Sequence, residues 1–192
     1  MKIACTCLVA TAVLLGAEGS TRAQVAVDRP APRHAVSLPL LSLAGGGGIG
    51  VQLEQQLRDP RFSVAVAFGA RRNAGGDYSS LATSVSVEAR YWLKGRALWC
   101  DLPARSMVGW FLGARADVAR TRTRDTIEDR GIGASLSFAE TLTVGYRFAV
   151  KRRLEISPSA GLGAITEVDT TGRLPAWTRG EARMGVTVGW MF

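Results

Sequence analysis

The last nine residues read Met184-Gly185-Val186-Thr187-Val188-Gly189-Trp190-Met191-Phe192. Bulky apolar side chains stand at every second position, and glycine or threonine occupies most of the positions between them. Successive side chains of an extended strand point to opposite faces. This stretch therefore predicts a strand with one bulky apolar face and one small or polar face. The strand ends on an aromatic residue, Phe192, at the end of the sequence.

The same period of two recurs along the chain in runs that turn-forming residues separate. The first run is the weakest, because Pro39 interrupts it and its apolar residues fall on both faces. After the N-terminal segment, no stretch has a convincing helical period or the length of a transmembrane helix. The predicted strands are residues 34–43, 49–57, 62–69, 84–93, 108–118, 136–148, 154–163 and 184–192.

The face opposite the bulky residues decides between a soluble and a membrane barrel. A soluble lipocalin-type barrel would bury its bulky face and carry its charges outside. Here the bulky face almost lacks Lys and Arg, as lipid requires, since either residue facing the middle of a bilayer costs about 2–4 kcal/mol. We therefore predict a membrane barrel with a polar lumen. The predicted lumen charges are Glu54, Glu88, Arg90, Arg115, Asp117, Arg147 and Glu155.

Strand parity sets the count at eight. If the chain ends in the periplasm, the loops at 72–80, 120–133 and 167–179 face outside, and the turns at 58–60, 94–106 and 149–152 face the periplasm. Single-chain bacterial barrels have even strand numbers, so the weak first strand is needed. The prediction is an all-β, eight-stranded, antiparallel, up-and-down transmembrane barrel. Glu140, on the apolar face, and Pro158, without an N–H group, predict bulges.

The N-terminus predicts export. Lys2 precedes an apolar run, and small residues flank Arg22, as a signal peptidase requires. The apolar run is too short for a membrane anchor, the alternative interpretation. We expect a cleaved signal peptide at 1–23, a flexible leader at 24–33 and the barrel domain at 34–192. Cys100 would be the only cysteine of the mature chain, without an intramolecular disulfide and with a passive role.

Composition limits the chemistry. The 24 Lys and Arg residues exceed the 16 Asp and Glu residues, but they are dispersed and form no long basic run, so we expect no nucleic-acid partner. The sequence has a single histidine, His34, and it lacks the residue clusters that metal sites require. We therefore predict no metal, no cofactor and no catalytic residue.

Several motifs stand in the order of a known family: Glu88-Ala-Arg90-Tyr91-Trp92, Gly109-Trp-Phe-Leu-Gly113 and Gly145-Tyr146-Arg147-Phe148, with Lys151-Arg152-Arg153-Leu154 and Gly161-Leu-Gly163 after them. With these motifs the chain resembles an uncharacterised, domain-of-unknown-function family of OmpA-like eight-stranded outer-membrane barrels. The resemblance covers about residues 47–192 and implies the fold and the outer-membrane location. It implies no activity. In such barrels the final aromatic residues, here Trp190 and Phe192, serve as a signal to the insertion machinery.

Three functional interpretations follow. An eight-stranded barrel is just wide enough for its side chains to fill, so we expect a closed lumen with paired charges and a structural or surface-recognition role for the outer loops. A narrow gated pore through the lumen charges is the first alternative. An enzyme that modifies lipid is the less favoured one, because His34 has no evident Ser or acid partner.

The expected partners are the outer-membrane lipid, lipopolysaccharide and the barrel-insertion machinery, with the protein a monomer. Within the predicted loop 120–133, Arg120, Arg122 and Arg124 would meet lipopolysaccharide phosphates, because arginine pairs phosphate bidentately.

Overall fold

A computed structural model describes residues 33–42, 48–93, 107–128, 130–150, 153–170 and 175–192. The predicted signal peptide (1–23), the leader up to residue 32 and Cys100 lie outside these ranges, so the conclusions drawn for them stay predictions. None of the described residues belongs to a helix long and apolar enough to cross a membrane.

The described residues form one closed sheet. Each strand pairs antiparallel with the next, and the last strand pairs with the first. The predicted eight-stranded up-and-down barrel is therefore confirmed, including the weak first strand that only the parity argument required. The strands are β1 (His34–Ser42), β2 (Gly48–Gln56), β3 (Phe62–Gly75), β4 (Tyr78–Trp92), β5 (Gly109–Asp125), β6 (Gly131–Val150), β7 (Leu154–Asp169) and β8 (Trp177–Met191).

The ring closes where β8 meets β1. The amide of His34 donates to the carbonyl of Phe192 at 3.1 Å, and the amide of Phe192 donates back to His34 at 2.9 Å. The two rings stack with their centroids 5.7 Å apart. We call this end of the barrel, where β1 begins and β8 ends, the near end, and the opposite end the far end.

The strands at the far end are longer than the sequence analysis predicted. Most of the expected loop 72–80 belongs to β3 and β4, which a tight turn joins at Gly76, where φ is +58°. Most of the expected loop 120–133 belongs to β5 and β6, and Asp125 Oδ1 caps their turn by accepting from the amides of Ile127 and Glu128. The predictions of long loops there were wrong, because polar residues with period two continue the strands after the apolar residues end.

Pro39 limits the pairing of β1 with β2. The amide of Gln56 donates to the carbonyl of Arg33, so odd-numbered residues of β1 direct their backbone groups towards β2. The next odd residue after Ser37 is Pro39, which has no N–H to donate. Within the described residues, the β1–β2 ladder ends at the pair Ser37 and Gln52. On the other side of β1, the register with β8 shifts between Pro39 and Leu41.

The two predicted bulges are absent from the described part of β6 and β7. Glu140 keeps continuous register with Ala116 on β5 and Ala164 on β7, and its side chain is exposed on the outward face. Pro158 interrupts the β6–β7 ladder opposite Tyr146 without shifting the register on either side. A missing hydrogen-bond donor opens the ladder here, but it adds no residue to the strand.

We predict that Pro39→Val extends the β1–β2 ladder by restoring the donor at residue 39. The measurement is hydrogen exchange of the Gly50 amide, which faces residue 39 and should exchange more slowly in the variant. Hydrogen exchange is a better readout than the free energy of unfolding. Removing proline raises the conformational entropy of the unfolded chain, and this offsets a gain in stability. Pro39→Ala should act in the same direction. Unchanged hydrogen exchange of the Gly50 amide in both variants would contradict the explanation that Pro39 ends the β1–β2 ladder.

Candidate functional site

The lumen holds the charged residues that the sequence analysis placed on the small or polar face. They lie on five strands and form two clusters at different heights. These residues are Glu54 on β2, Glu88 and Arg90 on β4, Arg115 and Asp117 on β5, Arg147 on β6 and Glu155 on β7.

The near cluster comprises Glu54, Glu88, Arg90, Arg147 and Glu155. Glu54 lies at its centre, and its Oε2 accepts from Arg90 Nη1 at 2.6 Å and from Arg147 Nη2 at 2.5 Å. Arg90 Nη2 donates to Glu88 Oε2 at 2.8 Å. Arg147 Nε lies 2.9 Å from Glu155 Oε2. Since β2 and β6 lie opposite each other in an eight-stranded ring, the Glu54–Arg147 pair crosses the lumen.

Hydroxyl groups donate to each of the three carboxylates. Ser63 Oγ donates to Glu54 at 2.5 Å, and Thr143 Oγ1 donates to Glu88 at 2.8 Å. Ser37 Oγ donates to Glu155. Hydrogen bonds to an ionised group are stronger than those between neutral groups, so these hydroxyls stabilise the carboxylates in their charged form.

The near cluster depends on a glycine for its space. A Cβ atom at Gly113 would overlap both Thr143 Oγ1 and the Glu88 carboxylate. Glycine on the small face of β5 therefore lets a charged side chain from β4 reach the hydroxyl on β6. The small residues of the alternating pattern are part of the site.

An apolar layer lies at the near end of the lumen, beyond the near cluster. The guanidinium of Arg90 lies 4.6 Å from the ring centre of Phe111, and that of Arg147 lies 4.9 Å from the ring of Trp92. These cation–π contacts join the ionic and apolar parts of the lumen. The sequence analysis did not predict this layer. It consists of Ala35, Trp92, Met107, Phe111 and Met191, all buried.

The far cluster lies on β5 and β8. Asp117 accepts from Arg115 at 2.8 Å and from Arg183 at 2.7 Å, and Arg183 also contacts Glu181 at 2.8 Å. Its two acids balance its two arginines. The near cluster, in contrast, has three carboxylates against two arginines. Since the Arg115 side chain is 30% exposed and that of Arg147 is fully buried, the far cluster lies closer to solvent.

Glu181 and Arg183 were not among the predicted lumen charges. The last strand was predicted to begin at Met184, but β8 begins at Trp177. The signal was available, since Glu181 and Arg183 continue the period of two on the small face of this strand. The drop in hydrophobicity before Met184 hid it.

A second group of charges lies on the outward face at the far end. Arg120, Arg122 and Arg124 were expected on a loop, but they lie on β5 and continue its outward face beyond Val118. Arg72 occupies the equivalent outward face of β3. Across β4, Leu81 pairs with Arg72 on one side and with Arg122 on the other. We call Arg72, Arg120, Arg122 and Arg124 the outward arginines.

Outward aromatic residues form a row at the near end. Phe62 and Tyr91 have ring centroids 5.2 Å apart, as do Trp110 and Tyr146. Trp190 and Phe192, the predicted insertion signal, lie on the same face and are 49% and 59% exposed. The row therefore surrounds the end of the barrel at which β8 finishes.

No catalytic constellation is apparent at the one histidine. His34 lies on the outward face at the near end, where its ring stacks on Phe192. Among the described residues, no three His, Cys, Asp or Glu side chains are close enough together to hold a metal ion. The absence of enzymatic activity stays a prediction.

Solved structures share this architecture. The crystal structure of Neisserial surface protein A matches with a TM-score of 0.56 and 16% identity, over 83% of this chain and 94% of that chain. The likeness is one of fold. The N-terminal β-barrel domain of Pseudomonas aeruginosa OprF matches with a TM-score of 0.49 and 12% identity, over 84% and 98% of the two chains. A major outer membrane protein from Thermus thermophilus matches with a TM-score of 0.43 and 13% identity, over 83% of this chain and 98% of that chain.

Sequence comparison adds no relative. No family model matches the chain, and no curated protein matches it. The fold implied by the resemblance to OmpA-like barrels is confirmed, while membership of that uncharacterised family stays a prediction.

We predict that Arg147→Met lowers the free energy of unfolding by about 3–5 kcal/mol, because it leaves the buried Glu155 carboxylate without its cation and removes one of the two cations of Glu54. Arg115→Met is the matched control, and because that side chain is partly exposed its loss should be about 1 kcal/mol or less. Urea unfolding of the refolded variants in lipid vesicles measures both. Equal losses of unfolding free energy in the two variants would contradict the conclusion that the near cluster depends on Arg147.

Proposed function

We propose that the chain is a small integral outer-membrane protein, with its outward face in lipid and its lumen closed. One observation carries this proposal: the outward face is apolar over a length that matches a membrane. Ten residues separate Phe62 from Arg72 on β3, and ten separate Trp110 from Arg120 on β5. At about 3.3 Å per residue and a tilt of about 40°, ten residues rise about 25 Å, the height of the apolar band in outer-membrane barrels.

The residues between these limits support lipid contact. The outward positions are Val64, Val66, Phe68 and Ala70 on β3, and Leu112, Ala114, Ala116 and Val118 on β5. Three of their large apolar side chains are exposed, Phe68 by 49%, Leu112 by 48% and Val118 by 44%. A soluble protein rarely exposes so continuous an apolar surface. The interior, in contrast, is ionic, which is the inverse of a soluble barrel.

Glu140 is the exception on this face. It is the one acid among the described outward positions inside the apolar band, six residues from Tyr146 of the aromatic row. Acidic residues cost less than Arg or Lys on a lipid-facing surface. One such residue is compatible with the proposed location.

The proposed role is structural or recognition at the far end, without conduction or catalysis. The Glu54–Arg147 pair crosses the lumen, and the apolar layer lies between that pair and the near end. A permeating ion would have to separate buried charge pairs and then pass a ring of apolar side chains. Both steps oppose a stable open state. The narrow gated pore is therefore an outcome of the test below and not a second proposal.

Assembly would follow the route of other barrels of this kind. Trp190 and Phe192, exposed at the near end, would be read by the insertion machinery before β8 closes on β1. We propose that the protein is a monomer. An unpaired strand edge could pair with a second chain, but the described part of the barrel has no such edge in its near half.

The location is tested by fractionating cells that express the full chain. We expect the protein in the outer-membrane fraction, where the folded barrel resists SDS and migrates faster than the boiled protein. Recovery from the soluble or inner-membrane fraction would overturn the proposed function.

The closed lumen is tested in planar bilayers. Purified wild-type protein should give no stable single-channel conductance, because the near cluster and the apolar layer both lie across the path. A regular, ion-selective open state in the wild-type protein would establish the pore and remove the closed-lumen interpretation.

A further inference from the structure

The outward arginines have no role in the closed lumen or in the apolar band. Arg120 and Arg122 are exposed on the outward face of β5, and Arg72 is exposed on that of β3. An isolated long cation needs no explanation on a protein surface. Three that share one face and cluster at the far edge of a membrane-length apolar band do need one.

The register brings these side chains together. Arg72 and Arg122 flank Leu81 on the intervening strand, so their Cα atoms lie about 10 Å apart, two strand spacings. Arg120 lies two residues below Arg122 on the same face, about 7 Å along the strand. The three guanidinium groups can therefore reach one ligand of the size of a lipid headgroup.

The neighbouring outward residues leave these arginines available. The register partners of Arg120 are Thr83 and Leu136, and those of Arg122 are Leu81 and Ala134. None is acidic. Among the described residues, the nearest acids in sequence are Asp117, which pairs with Arg183 in the lumen, and Asp77, Asp125 and Glu128 at the hairpin turns. The local outward surface is therefore positive.

The height of the arginines selects the partner. They begin where the apolar band ends, at the end opposite the aromatic row and Phe192. If the near end, where the chain ends, faces the periplasm as the strand-parity argument assumes, the arginines lie at the headgroups of the outer leaflet. A cation costs little at that depth, about 0–1 kcal/mol, whereas it would cost several times more at the midplane.

Arginine fits a phosphate at this position better than lysine would. Its planar guanidinium presents paired N–H donors that match two phosphate oxygens, and it is less strongly hydrated than an ammonium group. We propose that Arg72, Arg120 and Arg122 form a binding site for the phosphate groups of a phosphorylated saccharolipid, lipopolysaccharide, in the outer leaflet. The site corrects the loop contact expected from sequence: it adds β3 and lies on the barrel wall. This proposal rests on the outer-membrane location proposed above.

The test compares two triple variants with the same change in charge. Arg72→Gln/Arg120→Gln/Arg122→Gln removes the site. Arg58→Gln/Arg61→Gln/Arg153→Gln removes three exposed arginines at the near end and is the control. Both are first shown to fold by their heat-dependent gel migration. Binding of the refolded proteins is then measured with lipopolysaccharide and with its dephosphorylated form in detergent micelles.

We expect the far-end variant to bind lipopolysaccharide at least about tenfold more weakly than wild type, a loss of about 1.4 kcal/mol, and the control to stay within about twofold. The dephosphorylated form should bind wild type as weakly as lipopolysaccharide binds the far-end variant. Unchanged binding by the far-end variant, or equal loss in the control, would overturn the proposal. Displacement by millimolar inorganic phosphate would assign the site to free phosphate and also overturn it.

The two proposals fail in different ways. If wild-type protein is absent from the outer-membrane fraction, the proposed function fails, whatever the micelle assay gives. If wild-type protein is present there and the far-end variant binds lipopolysaccharide as well as wild type, only the phosphate site fails.

Discussion

A closed sheet of eight strands has one inside and one outside, and the parity of each residue decides which of the two it meets. The rest of the structure depends on this constraint. In β5, Arg115 and Asp117 point into the lumen, while the adjacent residues Ala114 and Ala116 point outward. A shift of one residue would place both charges in the proposed lipid phase and the alanines in the lumen. The register is therefore fixed from both sides of the wall.

Because the interior is narrow, the charged residues that face the lumen must contact one another in a specific arrangement. A barrel of eight strands leaves room for side chains only, so charges from opposite strands meet across the lumen. Glu54 and Arg147 do so, and hydroxyls such as Ser63 satisfy the remaining carboxylate oxygens. Such a cluster is costly to assemble from water, and breaking it is costlier still, because one buried charge is then left alone. We infer that the near cluster contributes more to a unique register and a closed lumen than to net stability.

Much of the fold could be predicted from period two alone, because one side of the wall is apolar and the other polar. The pattern failed where that contrast fades. At the far end, Arg120, Arg122 and Arg124 alternate with threonines and an aspartate, so polar residues occupy both faces and the strand resembled a loop. Glu181 and Arg183 were missed for the same reason. The pairing of particular charges could not be predicted, since it depends on which strands face each other across the ring.

Two prolines and one glutamate depart from the alternating pattern, and the sequence alone did not predict the structural effect of each. Pro39 and Pro158 both remove a donor, but only Pro39 lies beside a register shift. Glu140 follows the outward parity without any bulge, so a charged residue does lie on the apolar face. A proline or a misplaced charge in a strand predicts a local irregularity at that position. Whether the irregularity is a register shift, a missing hydrogen bond or an exposed charge depends on the neighbouring strands.

We propose that the outward face meets lipid over one membrane thickness and that the inward face does not. Spin labels at single cysteines test this proposal when they are placed in turn along the outward positions 112 to 124 of β5, in a background without other cysteines. In bilayers, labels at Leu112, Ala114, Ala116 and Val118 should be accessible to oxygen and protected from a water-soluble nickel reagent. From Arg120 onwards the nickel reagent should gain access. Equal access of the nickel reagent to all outward positions would contradict the account.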